Sequence, residues 1–315
     1  MMELIFSQAF VASVFRMTTP ILFAALAALV QRKANILCIG NEGIMLFAAF
    51  AGVMVSAWTG SLVVGFLGGL SAGALAAFLF AYFVLQLQTD PMLIGLALNI
   101  FGSGGTIYLM FLTTGDKGST VGISSKLFPM VEIPVLKEIP VLNSVISGHN
   151  LMVYVSIAVL FLVNWLIYKS KLGLRIRAVG ENAAAAASVG TNVKRTQFIA
   201  IVAGGLIASL GGMYMSMGYL TCFSRDMIAG RSFIGIAAQN LGMGNPWITM
   251  GASVLFGIAQ ALANAAQALR LPTQLANMIP YVTTIVGLIV IGITEKRRDH
   301  SQKKAERIQA AVSEK

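Results

Sequence analysis

Side chains able to do chemistry are few in this sequence, and most lie outside its apolar runs. Both histidines, His149 and His300, fall in polar stretches. No Ser/His/Asp set, carboxylate pair or metal-ligand cluster lies within an apolar run, so hydrolytic or redox catalysis is poorly supported. The sequence reading therefore expects no enzyme, no metal and no cofactor. The G-x-x-x-x-G-K-S/T loop that cradles nucleotide phosphates is also missing, so any ATP-driven work must be done on another chain. Cys38 and Cys222 make neither a disulfide framework nor a metal motif and read as packing residues.

Two groups of polar residues remain. The first is centred on Glu42, the one acid near membrane depth in the first third of the chain. An ionisable group there is costly and is a functional candidate by default. The preferred alternative is structural: Glu42 caps the helix starting near Gly43, where a carboxylate meets the positive end of the helix dipole. Asn35 and Asn41 flank it, and Asn99, Gln239, Asn240 and Asn264 are further amides in or beside apolar runs. These either line a polar pathway or bond to a neighbouring helix. Arg231, five residues after Asp226, reads as half of a local ion pair.

The second group is a basic, Gly-punctuated island over 169–195, opened by Lys169, Lys171, Arg175 and Arg177 and closed by Lys194 and Arg195. Its middle reads as one short, self-contained helix. Asn182 offers a side-chain oxygen as its cap, Ala183–Ala187 is the strongest helix former available, and Gly190 suits a left-handed C′ position.

The elements that must position these groups follow from composition. The chain is 57% hydrophobic and 11% charged, with mean hydropathy +0.80, against roughly 25% charge in soluble domains. This predicts an all-α polytopic membrane protein of about 8–10 transmembrane helices, including short or broken segments. A net charge of +10 does not imply nucleic acid, because the cations sit at the ends of apolar runs, as the positive-inside rule requires. The first segment lacks a basic start and its apolar run continues, so no cleavable signal is expected.

Along the chain, 4–30 reads as one long span or a short helix plus a span, ended on the cytosolic side by Arg32 and Lys33. Polar, Gly-rich residues 35–43 suggest a broken or re-entrant segment before an apolar helix. Gly65, Gly69, Gly73, Ala77 and Ala81 draw a small-residue seam along 61–86; Gly204, Ala208, Gly212 and Ser216 draw another along 196–220; Ser253, Gly257, Ala261 and Ala265 a third along 247–268. Pro91 suits the start of the next helix. The stretch 114–149 carries three lysines against three acids and is assigned as an external, turn-rich loop. A half-length helix is expected over 232–245, and a last span over 279–293. The expected organisation is thus a transmembrane domain over 1–295 and a basic cytosolic tail over 296–315, which either touches anionic lipid or only fixes topology. Interruptions at 35–43 and 239–246, one in each half, are of the kind that marks a transporter built from repeats, though the two halves do not align well enough to define a repeat.

Three motifs carry a resemblance. ANILCIGNEGIMLFAAF resembles the N-x-G-x-E-G-x-M-L-x-G-A signature of permease subunits of bacterial ABC importers for ribose-type sugars, nucleosides and branched-chain amino acids. GLRIRAVGENAAAAASVGTN is similar to their cytosolic coupling loop, with Ala183 where a Pro is common. GRSFIGIAAQNLGMGNPW is similar to their later G-R-G-F-I-A-I-A segment, with Ser232 in place of the second Gly. Length and the NEGIM form most resemble the second, shorter permease of the nucleoside-type systems. The resemblance implies that Arg177, Gly180, Glu181, Asn182, Ala186 and Gly190 belong to the element seated in an ATPase cleft. It implies as partners an ABC ATPase, a second permease, identical or different, and an extracytoplasmic substrate-binding lipoprotein, and a multi-pass place in the bacterial cytoplasmic membrane. The solute expected is a nucleoside, otherwise a simple sugar. The alternative is a stand-alone, ion-coupled secondary transporter, which would need intramembrane carboxylates; only Glu42 fits.

Overall fold

The structure, a computed structural model, describes residues 8–131 and 147–268 together with Met278, Val282 and Thr283. Residues Met1–Ala261 form one compact unit and Leu262–Lys315 a second. In chain order the helices are α1 (Gln8–Lys33), α2 (Asn41–Thr59), α3 (Leu62–Leu85), α4 (Pro91–Thr114), α5 (Leu151–Lys169), α6 (Lys171–Glu181), α7 (Ala183–Ser188), α8 (Val193–Tyr214), α9 (Arg231–Leu241) and α10 (Pro246–Ala268). Strands β1 (Met130–Val131) and β2 (His149–Asn150) pair antiparallel ahead of α5. Among the described residues seven helices, α1 to α5, α8 and α10, are long and apolar enough to cross a bilayer. The all-α polytopic class is therefore the one observed. The last expected span falls outside the described residues except for Val282 and Thr283, which are helical, and the basic tail lies outside them altogether.

The segment 4–30, open between two readings, is a single helix over its described part. Pro20 sits inside α1, where its missing N–H leaves the carbonyl four residues earlier without a helical partner. That carbonyl belongs to Arg16, and the buried Tyr214 hydroxyl donates to it at 3.2 Å. The defect is thus repaired by another helix, which keeps α1 continuous in a medium that supplies no water.

α1 is the central post. It packs against α8, α9 and α5, and 83% of its most apolar window is buried, against 28% for α3 and 22% for α4. Those two outer helices expose Leu75, Phe78, Ile100 and Leu112, as lipid-facing helices do.

The small-residue seams are where the helices touch. Gly65 lies against Ser56 of α2, and Gly73 against Ser209 of α8. Gly205 lies against Ala77, and Gly212 is backed by the Met45 carbonyl of α2. Ser216 Oγ donates to the Ala49 carbonyl at 2.9 Å, closing the second seam with a hydrogen bond. Gly257 on the third seam meets Thr18 of α1. Between helices the hydrophobic effect gives little drive within lipid, so close approach and these interhelical bonds hold the bundle.

Candidate functional site

The first polar region forms where α1 stops and α2 starts. Asn35 adopts a left-handed φ of 59° and ends α1; it is exposed. The chain then returns so that Asn41, fully buried, faces Gln31 on α1. Their amides pair reciprocally: Asn41 Nδ2 donates to Gln31 Oε1 at 3.0 Å, and Gln31 Nε2 donates to Asn41 Oδ1 at 3.2 Å. The signal in the sequence for Gln31 is a lone amide immediately before the cationic pair that ends an apolar helix.

Asn99, from α4, stitches the two sides of the break. Its Oδ1 accepts from the Gly43 N–H at 2.8 Å, and its Nδ2 donates to the Ile39 carbonyl at 3.1 Å. Both backbone groups lie at the break, where helical partners are missing. Gly43 is glycine for a visible reason: a Cβ there would strike the carbonyl of Leu98.

Glu42 does cap a helix, but not its own. One carboxylate oxygen accepts from the Gly230 N–H at 2.7 Å and the other from the Ser232 N–H at 3.2 Å, 188 and 190 residues along the chain. These groups open α9, the expected half-length helix. Its N-cap position is Gly230, with φ 77° and no side chain to offer. The orphan N–H groups and the positive end of that helix therefore receive their carboxylate from α2. Both oxygens are engaged by backbone donors, which suits holding a broken helix in place.

The local ion pair expected of Arg231 forms elsewhere. Asp226 lies 3.6 Å from Arg225 and accepts from Ser103 of α4, whereas Arg231 donates to the carbonyls of Met227 and Ile228 at 3.1 and 2.9 Å. Asp226 takes φ 50°, in the segment 220–230 that leads into α9. Gln239 is buried at the far end of α9 and Asn240 beside it is exposed. Two turns, about 10 Å, separate them from Ser232. The structure thus gathers Asn41, Glu42 and Asn99 at one knot and leaves Asn35, Gln239 and Asn240 outside it.

The second polar region is the basic island, which holds two helices where one was expected. α6 precedes α7, and Asn182 joins them: its N–H closes α6 on the Ala178 carbonyl, and its Oδ1 accepts from the Ala185 N–H at 3.0 Å to start α7. Gly190 follows with the left-handed φ of 83° expected of a C′ residue. α6 was legible in retrospect. Ser170 caps it by accepting from the Gly173 N–H at 2.9 Å, and Gly173, Ile176 and Val179 form its buried stripe at helical spacing.

Gly180 and Glu181 differ in kind. A Cβ on Gly180 would meet the Lys33 carbonyl at the end of α1, whereas Glu181 is exposed. Arg177 lies over the Tyr168 ring at 5.3 Å. α7 itself is bare: Ala186 is buried, its other residues are exposed, and Val189 just beyond is 80% exposed. α7 is thus an exposed apolar helix between two cationic stretches.

Residues 10–288 match the model of the branched-chain amino acid transport system / permease component family. The guanosine ABC transporter permease protein NupQ of Bacillus subtilis is 30% identical over 280 residues, covering 85% of this chain and 87% of that protein. The nucleoside ABC transporter permease protein NupC of Lactococcus lactis is 30% identical over 294 residues, covering 89% and 91%. A glucose ABC transporter permease of Haloferax volcanii is 26% identical over 293 residues, covering 85% and 76%. No solved structure gives a significant match. Family and spans together make this a multi-pass cell-membrane protein, a permease subunit that works with a separate ATPase and further transporter components. The chain belongs to the family of branched-chain amino acid transport system permease components.

Proposed function

We propose that this permease is one half of the translocation pathway of a nucleoside importer, and that α7 with the flanking Gly180, Glu181 and Gly190 is the element seated on the ATPase. One observation carries the coupling assignment: a short, side-chain-capped, exposed apolar helix is fixed to the transmembrane core through Gly180 against the end of α1. ATPase closure would press on α7, and Gly180 would pass that displacement to the α1 end and to the break beyond it. A coupling route of this kind is established only by showing that both ends bias one element.

The nucleoside assignment rests on relatives, with a simple sugar as the second choice. A different second permease is supported by the same source. Two guanosine permeases of one Bacillus subtilis strain match at 30% and 22% identity, and this chain covers 87% of the first and 78% of the second. The chain has the proportions of the shorter member of such a pair. By the positive-inside rule the island and tail face the cytosol and 114–149 faces outward.

The test is affinity purification of the tagged chain from mild detergent, with the co-purifying proteins identified. Recovery of an ATPase and a distinct second permease is expected. Recovery of an ATPase alone would favour a homodimeric sugar system, and a chain that came out alone yet moved solute in liposomes would overturn the assignment.

A further inference from the structure

A further feature lies just past α7 in the chain, at the start of α8. α3 and α8 run antiparallel, with Gly73 against Ser209 and Ala77 against Gly205. Following both helices from these contacts leads to the end of α3 and the start of α8, where they part around a cavity of about 480 Å³. That volume lies within the roughly 300–1,000 Å³ of ordinary ligand sites. Its lining joins an aromatic pair, Phe78 and Phe198, packed edge to face with centroids 5.6 Å apart, to Tyr82, Leu85, Lys194 and Arg195.

Each half of this lining has its own demand. Lys194 and Arg195 are exposed, and among the described residues neither is paired with a carboxylate. The apolar half continues outward as a strip on α3, where Leu75, Phe78, Leu79 and Tyr82 are all exposed. Their spacing of three and four residues puts them on one face, over about 10 Å of helix. A free phosphate would satisfy the cations and leave that strip unused. A molecule with an anionic head and a long apolar body satisfies both. Basic pockets between membrane helices at the cytosolic surface take such headgroups, and the positive-inside rule puts Lys194 and Arg195 on that surface.

We infer that the groove between the end of α3 and the start of α8 is a specific site for an anionic phospholipid of the inner leaflet. Its phosphate lies between Lys194 and Arg195, and an acyl chain follows Phe78 and Leu75 along α3. The site needs only the membrane-spanning fold and is independent of which solute is carried.

The experiment is native mass spectrometry of the purified full chain, loaded with phosphatidylglycerol or phosphatidylcholine and compared with two double variants. The wild type retains phosphatidylglycerol in preference to phosphatidylcholine. Lys194→Gln with Arg195→Gln weakens phosphatidylglycerol binding by about thirty-fold, the factor that two neutralised cations are worth near an anionic headgroup. Lys194→Arg with Arg195→Lys keeps the wild-type preference, which separates charge from general damage. Equal retention of the two lipids by the wild type, or unchanged phosphatidylglycerol binding in the glutamine variant, would overturn the proposal. So would loss of a co-purifying ATPase from the glutamine variant with lipid retention intact, because the groove would then be a protein contact.

Discussion

The two polar regions of this permease are held in opposite ways. The knot at the start of α2 is tied by residues far apart in sequence: Gln31 on α1, Asn99 on α4 and the opening of α9. α7 is held by its own neighbours, Asn182 capping it and Gly190 ending it. Within a bilayer, backbone polar groups at a helix break must find partners inside the protein; Glu42 and Asn99 supply them, while Asn41 pairs with the Gln31 side chain. α7 is exposed, so water meets that need, and under the proposed coupling role its apolar face is left for the ATPase. Variants in the knot should therefore change stability, and variants on α7 should change coupling.

The largest effect expected is at Gly43. Gly43→Leu drives a side chain into the Leu98 carbonyl and should cost about 3 kcal/mol or prevent folding, read as lost thermal stability in detergent. Next is Glu42→Ala, which strips the carboxylate from two N–H groups of α9 and should cost about 2 kcal/mol. Glu42→Gln, which keeps one good acceptor, should recover part of that loss in the same melt. Asn182→Ala removes a local cap and should cost about 1 kcal/mol, seen as faster amide exchange confined to α7. Glu181→Ala touches an exposed side chain, so the melt should move by less than about 0.5 kcal/mol. ATP hydrolysis in the assembled transporter should nevertheless come uncoupled from uptake. A melt shift at Glu181 as large as that at Glu42 would erase the contrast between the regions.

What the sequence made legible was local. The seam glycines, the Asn182 cap and the Pro91 start of α4 each depend on residues within a few positions; Asp90, which caps α4 by accepting from the Met92 N–H at 2.7 Å, completes that start. Glu42 shows the limit. Its chemistry as a helix cap was readable from its type and place, but the helix it caps begins 188 residues later, and no periodicity carries that distance. Asn99 is similar: an amide in an apolar run announces a bond without naming its partner. α6 is hard to read because its sequence is dominated by Lys171, Arg175 and Arg177, while its buried stripe of Gly173, Ile176 and Val179 spans barely two turns.

The most direct test of the coupling assignment is a photo-crosslinker placed at Val189, which is 80% exposed beside α7, in the transporter assembled in native membranes. The account predicts an adduct with the ATPase chain, strengthened when that chain is trapped with nucleotide. An adduct with the extracytoplasmic binding protein, or none with the ATPase while the complex stays intact, would contradict it.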